Sequence, residues 1–209
     1  MEQRTDDWFA ARCGKVTASR IADLMARTKT GYSSSRANYK AQLVCERLTG
    51  CVEPSYCNAA MQWGIDKEAE ARRAYEFLID RDVIEEAFVL HPTIEMAGAS
   101  PDGLVGDDGL VEIKCPISAT HIDTLLNGAF ADKYVKQALF QMACTGRQWC
   151  DLVSYDPRLP ERMRLFVRRI ERDAEAIAEI EAEVCAFLAE IDETVGKLLA
   201  AYEPEKEAA

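Results

Sequence analysis

Apolar residues in the last part of the chain recur at three- and four-residue intervals: Ile177, Ile180, Val184, Phe187, Ile191, Val195 and Leu198. That spacing puts them on one face of a helix, because three to four residues complete a turn. The intervening positions are rich in acidic residues, so residues 171–202 are predicted to form one amphipathic helix packed on the core with a solvated acidic face. Earlier helical stretches carry their own start and stop signals. Thr5 can cap a short helix through Arg12 that stops at Gly14, and a second helix is expected from Thr17 to Ala26. Residues 27–35 are polar and turn-rich and read as a loop, after which helix is expected over 36–48. Asn58 can cap a long helix to Ile79, with Trp63, Ala71, Ala74 and Tyr75 facing inward.

The period then shortens. Residues 83–90 read as a strand, and 109–114 alternate apolar and charged side chains. Gly106-Asp107-Asp108-Gly109 supplies a tight turn ahead of the second run, so a hairpin or meander is expected there. A helix over 133–145 and strands near 148–155 and 164–170 complete the pattern. Helices, then a mixed sheet, then helices make an α/β or α+β fold: a central mixed sheet flanked by helices. There is no internal repeat, low-complexity block or Gly/Ser linker, and 209 residues at 48% hydrophobic content suit one domain, 1–209.

Composition narrows the setting. No apolar run approaches the ~18 residues of a membrane span, so no membrane role is expected. The first eight residues are polar and acidic, unlike a signal peptide, and a cytoplasmic location is expected. The eight cysteines show no CxxC pairing and are expected to be reduced, mostly as small buried side chains. Cys45, Cys51 and Cys57 are evenly spaced but lack the close-set grouping of iron–sulfur ligands. The net charge of −11 is concentrated at the C-terminal end: from Glu171 onward there are twelve acidic and three basic residues. The rest of the chain is nearly neutral, which permits a DNA-binding face.

The stretch that carries chemistry is Ser100-Pro101-Asp102-Gly103, followed by Glu112-Ile113-Lys114-Cys115-Pro116. Glu112 and Lys114 are two apart on a strand and leave the same face. Asp102 lies just before the hairpin, which can carry it beside Glu112. Two carboxylates and an ammonium then converge. Such hard oxygen ligands suit Mg²⁺, with Mn²⁺ able to substitute, and these cations also bind phosphate oxygens. Phosphodiester hydrolysis needs an activated water and charge stabilisation. Metal at Asp102 and Glu112, with the Ile113 carbonyl as a further ligand, supplies both, and Lys114 can orient the water.

Five ordered blocks carry a resemblance. They are Trp8…Arg12-x-Gly14-x-x-Thr17-Ala18-Ser19, Trp63-Gly64…Glu68, Ser100-Pro101-Asp102-Gly103-Leu104, Glu112-Ile113-Lys114-Cys115-Pro116 and Tyr155-Asp156-Pro157-Arg158. Together they resemble the phage lambda exonuclease (YqaJ-type viral recombinase) family, within the PD-(D/E)XK nuclease class, from about Trp8 to Glu171. The resemblance implies a restriction-endonuclease-like core and a Mg²⁺-dependent processive exonuclease. Such an enzyme degrades the 5′-ended strand of linear duplex DNA and leaves a 3′ single strand. It also implies a homotrimeric ring and cooperation with a single-strand annealing protein. Asp102 and Glu112 match the family's metal ligands, Lys114 its catalytic lysine and Glu68 a further acid near the metals. Arg12, Ser19 and Ser100 match a pocket for the terminal 5′-phosphate. Gln137 and Gln141 resemble its glutamine-bearing helix beside the site, with Gln137 the better match and assigned to the substrate end. Met61 falls where the family inserts an apolar wedge between the strands. His91 and His121 match no motif and are read as structural, and the Lys-, Arg- and Ser-rich loop 27–36 matches no DNA contact.

Two other functions fit the same core: an endonuclease, or a DNA-binding recombination scaffold that has lost catalysis. The intact Asp102, Glu112, Lys114 set speaks against the second. A nucleotide-metabolising enzyme lacks support because no P-loop is present.

Overall fold

The computed structural model describes residues 3–52 and 58–202. Helix α1 (Asp6–Arg12) starts at Thr5, whose hydroxyl accepts the Trp8 amide. Gly14 follows it in left-handed conformation (φ +68°), where an added Cβ would lie 2.8 Å from the Arg47 side chain. Next come β1 (Val16–Thr17), a 3₁₀ turn over Ala18–Arg20 and α2 (Ile21–Met25). The helix expected from Thr17 is therefore much shorter, because Val16 and Thr17 pair in parallel with Ala97 and Gly98 and are held extended. Within the stretch expected to be loop, β2 (Arg27–Thr28) and β3 (Gly31–Tyr32) form a small hairpin. Helix α3 (Ser34–Thr49) ends on left-handed Gly50, and α4 (Ala59–Ile79) opens with the Asn58 side chain accepting the Met61 amide at 2.9 Å.

The run 83–90 is not one strand. Val83–Ile84 (β4) pairs with Gly103–Val105 (β7), whereas Val89–Leu90 (β5) pairs with Ala97–Ala99 (β6), so the run feeds two sheets. Strand β8 (Gly109–Lys114) is antiparallel to β7 and parallel to β9 (Trp149–Tyr155). A parallel partner needs a long crossover. Here it contains α5 (Ser118–Asn127), unforeseen from the sequence, and α6 (Asp132–Thr145). β10 (Leu165–Glu171) closes the five-stranded sheet in the order β10-β9-β8-β7-β4, and α7 spans Ala174–Tyr202. No described helix is long and apolar enough to cross a membrane.

Both faces of this sheet are covered. Leu110 and Leu152 pack with Ile21, Leu24, Phe140, Phe187 and Ile191 in the larger core, beneath α2, α3, α6 and α7. Val111, Ile113 and Val153 pack with Ala71 and Tyr75 of α4 in the smaller one. Ala71 and Tyr75 are buried while Trp63 and Ala74 are half-buried, as amphipathic spacing required. The acidic face of α7 is only partly solvated. Glu183 pairs with Arg27 and Arg36, Glu190 with Arg36 and Lys40, and Asp192 with Arg47. The bases flanking the 27–36 hairpin therefore brace a helix.

His91 and His121 are buried and bonded, His91 to Glu181 and His121 to Ser154 and the Met163 carbonyl. Of the described cysteines, Cys115, Cys144 and Cys150 are buried, but Cys45, Cys51 and Cys185 are exposed, so burial does not account for most of them. Cys57 lies outside the described residues.

Candidate active site

Sheet register places the first two acids. Gly103 pairs with Val111, so the next position outward sets Asp102 across from Glu112. Asp102 Oδ2 accepts the Ile113 amide at 2.7 Å, which locks the turn onto β8. Because side chains alternate along a strand, Leu110, Glu112 and Lys114 point towards α6 while Val111 and Ile113 point towards α4. The charged face of β8 is thus covered, and the Glu112 side chain is only 2% exposed.

A buried carboxylate must be hydrogen-bonded. Oε1 of Glu112 accepts from Lys114 Nζ and, at 2.6 Å, from Gln137 Nε2; Oε2 accepts from Gln141 Nε2 at 2.5 Å. The glutamines lie one turn apart on α6. A carboxylate offers about four acceptor positions, so roughly one stays open on Oε2. Gln137 thus sits among the partners of Glu112. Gln141, the weaker match by sequence, is fully buried and equally engaged. Their four-residue spacing is the signal that joins them.

Asp102 is held differently. Withdrawal from water, then the charges of Glu112 and Glu68, push its carboxyl well above the usual carboxylate range, against the pull of Lys114 and the Ile113 amide. Burial works against the charge on Lys114, but Glu112 and Asp102 outweigh it and raise its pKa, so the ammonium stays protonated. Glu68, on α4, accepts from Arg4 Nη2 at 2.8 Å and Arg72 Nη2 at 3.1 Å. A cleft of about 520 Å³ is lined by Asp102, Ile113, Lys114 and Glu68 together with Met61 and Tyr134. Met61 is 50% exposed in the first turn of α4, which excludes a core role.

A second cleft, of about 320 Å³, is lined by Arg12, Lys15, Thr17, Ser19 and Arg20, with buried Glu46 as its acid. Trp8, Phe9 and Met61 line both clefts, so the two adjoin. The Arg12 guanidinium stacks 4.0 Å over the Trp8 ring and donates to Ser100 Oγ at 3.0 Å. Trp8 Nε1 donates to the same oxygen at 3.0 Å, which leaves the Ser100 hydroxyl proton to be donated elsewhere. Burial lowers the pKa of Arg12 to about 10, with Tyr39 and Glu46 opposing, and the side chain is still charged near neutrality. The structure thus gathers Arg12, Ser100 and, through the cleft, Ser19. Thr17 of the same motif block also lines it, as do Lys15, Tyr39 and Gln42, which the sequence had not singled out.

Among the described residues, no three His, Cys, Asp or Glu side chains form a ready-made metal cage. Asp102 and Glu112 do offer hard carboxylate oxygens, and the charges of Glu112 and Glu68 add to the burial that raises the Asp102 carboxyl, a combination that a cation relieves. The pair therefore fits Mg²⁺, which is commonly held by one or two carboxylates with water and phosphate oxygens completing its shell.

A mixed sheet carrying an aspartate beside a Glu-x-Lys strand, covered by helices on both faces, defines a nuclease of the PD-(D/E)XK class. Residues 7–148 match the YqaJ-like viral recombinase domain, and the chain belongs to that family. It is 55% identical to an alkaline exonuclease (LHK-Exo) from Laribacter hongkongensis, over 94% of this chain and 97% of that one, with a TM-score of 0.88. The same protein in complex with dAMP aligns at 56% identity over 94% and 97% of the chains, with a TM-score of 0.89. A phage-related exonuclease from Haemophilus somnus shares the fold at 16% identity, with a TM-score of 0.72 over 88% of this chain and 96% of that one. No curated protein gives a significant sequence match. The chain is an enzyme of the exonuclease type.

Proposed function

We propose that this enzyme is a Mg²⁺-dependent exonuclease that degrades the 5′-ended strand of linear duplex DNA and leaves a 3′ single strand. The adjacency of the two clefts carries this reading: a basic, hydroxyl-lined cleft adjoins one lined by carboxylates and a lysine. A terminal phosphate in the first sets the neighbouring phosphodiester in the second. That the relative from Laribacter hongkongensis was solved in complex with dAMP, a nucleoside monophosphate, supports the assignment.

Asp102, Glu112 and the Ile113 carbonyl would hold the metal, with Glu68 nearby. When bound, it supplies an activated water and charge neutralisation at the phosphate. Lys114, protonated beside Glu112, orients the water and offsets negative charge in the transition state. Gln137 and Gln141 fix the carboxylate of Glu112. Arg12, Ser19 and Ser100 bind the 5′-phosphate, where a guanidinium fork is favoured over a point charge. Exposed Met61, which lines both clefts, would part the strands. Processive digestion by a ring of three subunits and cooperation with a single-strand annealing protein belong to the same reading, on the family resemblance. Light scattering at three times the chain mass supports the ring, and a monomer overturns it.

Digestion of 5′- and 3′-end-labelled linear duplex, with a closed circle as control, tests the activity. Label should be lost first from the 5′ end, in Mg²⁺ or Mn²⁺ but not in chelator, and the circle should survive. Cutting of the circle means an endonuclease; DNA binding without cutting means a scaffold.

A further inference from the structure

The N-terminal segment enters the catalytic cleft. Gln3 Nε2 donates to the Glu86 carbonyl at 2.7 Å and to the Pro101 carbonyl at 2.9 Å, which ties the segment to the residue before Asp102. The chain then turns through Arg4 at φ +68°, a left-handed conformation that glycine adopts freely and a side chain disfavours. That turn brings the Arg4 side chain to the cleft wall, where Nη2 reaches Glu68 at 2.8 Å with 44% of the side chain still exposed.

Stability does not explain an arginine here. Glu68 already has a cation in Arg72, at 3.1 Å. A half-exposed ion pair contributes little, and the backbone conformation costs more for arginine than for glycine. Strained backbone that aims a side chain into a cleft points to function. A guanidinium within the carboxylate-lined cleft suits a phosphate of the DNA strand, with which it forms charge-assisted paired hydrogen bonds.

We infer that Arg4 is a substrate-binding residue: its guanidinium contacts a backbone phosphate of the DNA in the catalytic cleft, separately from the terminal phosphate held by Arg12. The inference rests on the reading of the cleft as a DNA exonuclease site. Glu68 then holds Arg4 in place until DNA arrives.

The test compares wild type, Arg4→Gly and Arg4→Lys. Affinity for linear duplex with 5′-phosphate or 5′-hydroxyl ends is measured in chelator over a salt series, alongside thermal unfolding. Arg4→Gly should bind both ends about ten-fold more weakly. Its plot of log affinity against log salt should be shallower by about 0.9, the mark of one lost phosphate contact. Its melting temperature should equal or exceed that of wild type, because the left-handed turn is relaxed. Arg4→Lys should keep the slope. Wild-type affinity and slope in Arg4→Gly overturn the inference, as does a lower melting temperature with unchanged binding. So does a loss confined to 5′-phosphate ends, which places Arg4 in the terminal-phosphate cleft. A wild-type enzyme that binds no linear duplex sinks the underlying reading instead, before any variant is compared.

Discussion

Gln141, on the buried side of α6, donates from Nε2 to Oε2 of Glu112 at 2.5 Å and so sets the orientation of a carboxylate that has almost no contact with solvent. Gln137 does the same for Oε1 one turn earlier. A hydrogen bond to a charged group contributes about 1.5–3 kcal/mol, and its loss frees the carboxylate to rotate. Gln141→Leu keeps most of the volume but removes the donor. Its turnover should fall about ten-fold or more, and half-maximal activity should need more Mg²⁺, with the circular dichroism spectrum unchanged. A metal titration of initial rates checks this. An unchanged Mg²⁺ requirement would show that the glutamine serves packing alone.

Asp102 presents the cost of such a site. Its folded pKa is raised above the unfolded value, so the stability linked to its proton is present below about pH 4 and is lost as pH rises through the raised value. Above that range the metal-free enzyme has lost this contribution. Asp102→Asn should lose activity by orders of magnitude and yet be more stable than metal-free wild type at pH 7. The difference should vanish in acid, and Mg²⁺ should raise the melting temperature of wild type only. Thermal unfolding across pH, with and without metal, decides it; full activity in Asp102→Asn would refute the site.

The Arg12 cleft makes a prediction about direction. Arg12 stays charged near neutrality although burial lowers its pKa, and it is bonded to Ser100, only two residues from Asp102; on the proposed reading it binds the phosphate exposed by each cut. Duplex with 5′-phosphate ends should be digested faster than duplex with 5′-hydroxyl ends. Arg12→Ala should erase most of that preference, a loss of roughly ten-fold or more. Gel assays of the two substrates measure it, and a full preference retained by the variant would move the pocket elsewhere.

The Tyr155-Asp156-Pro157-Arg158 block has a structural duty. Asp156 is completely buried and accepts from Arg158 Nε at 2.7 Å and Nη2 at 2.9 Å, while the guanidinium lies 4.3 Å over Trp63. Burial alone would raise the carboxyl, but the Arg158 and Ser118 hydrogen bonds outweigh it and hold the pKa down at about 2. A depressed folded pKa stabilises above the unfolded value near 4, and that contribution is lost as pH falls towards 2. Arg158→Ala should cost about 2 kcal/mol at neutral pH by stranding the carboxylate. The gap to wild type should narrow between about pH 4 and pH 2. Denaturant titrations at several pH values test the trend; a gap independent of pH would assign the loss to the Trp63 stack.

Much of the fold was legible because its signals are local. The period of α7, the Asn58 cap and the turn before β8 each depend on residues within a few positions of one another. The same holds for Glu112-x-Lys114, whose shared face follows from strand geometry. Other features depend on partners distant in sequence. Residues 83–90 look like one strand, yet β7 and β6 each claim one end. Thr17 looks like the start of a helix until β6 holds it extended, and β6 itself is three small residues with no periodicity.

What the sequence determined by itself was the chemistry available and its order: an aspartate in a turn, Glu-x-Lys on a strand, an arginine and serines upstream, and glutamines one turn apart. The tertiary structure decided which of these meet. It placed the charged face of β8 under α6, so that Glu112 is bound by two glutamines, and it brought Arg4 from the N-terminal segment to Glu68. It also made Arg27 and Arg36, which matched no motif, into partners of α7. The reason is one of range: a side chain's direction is set by its own backbone, whereas its partner is set by which distant elements the core packs against it.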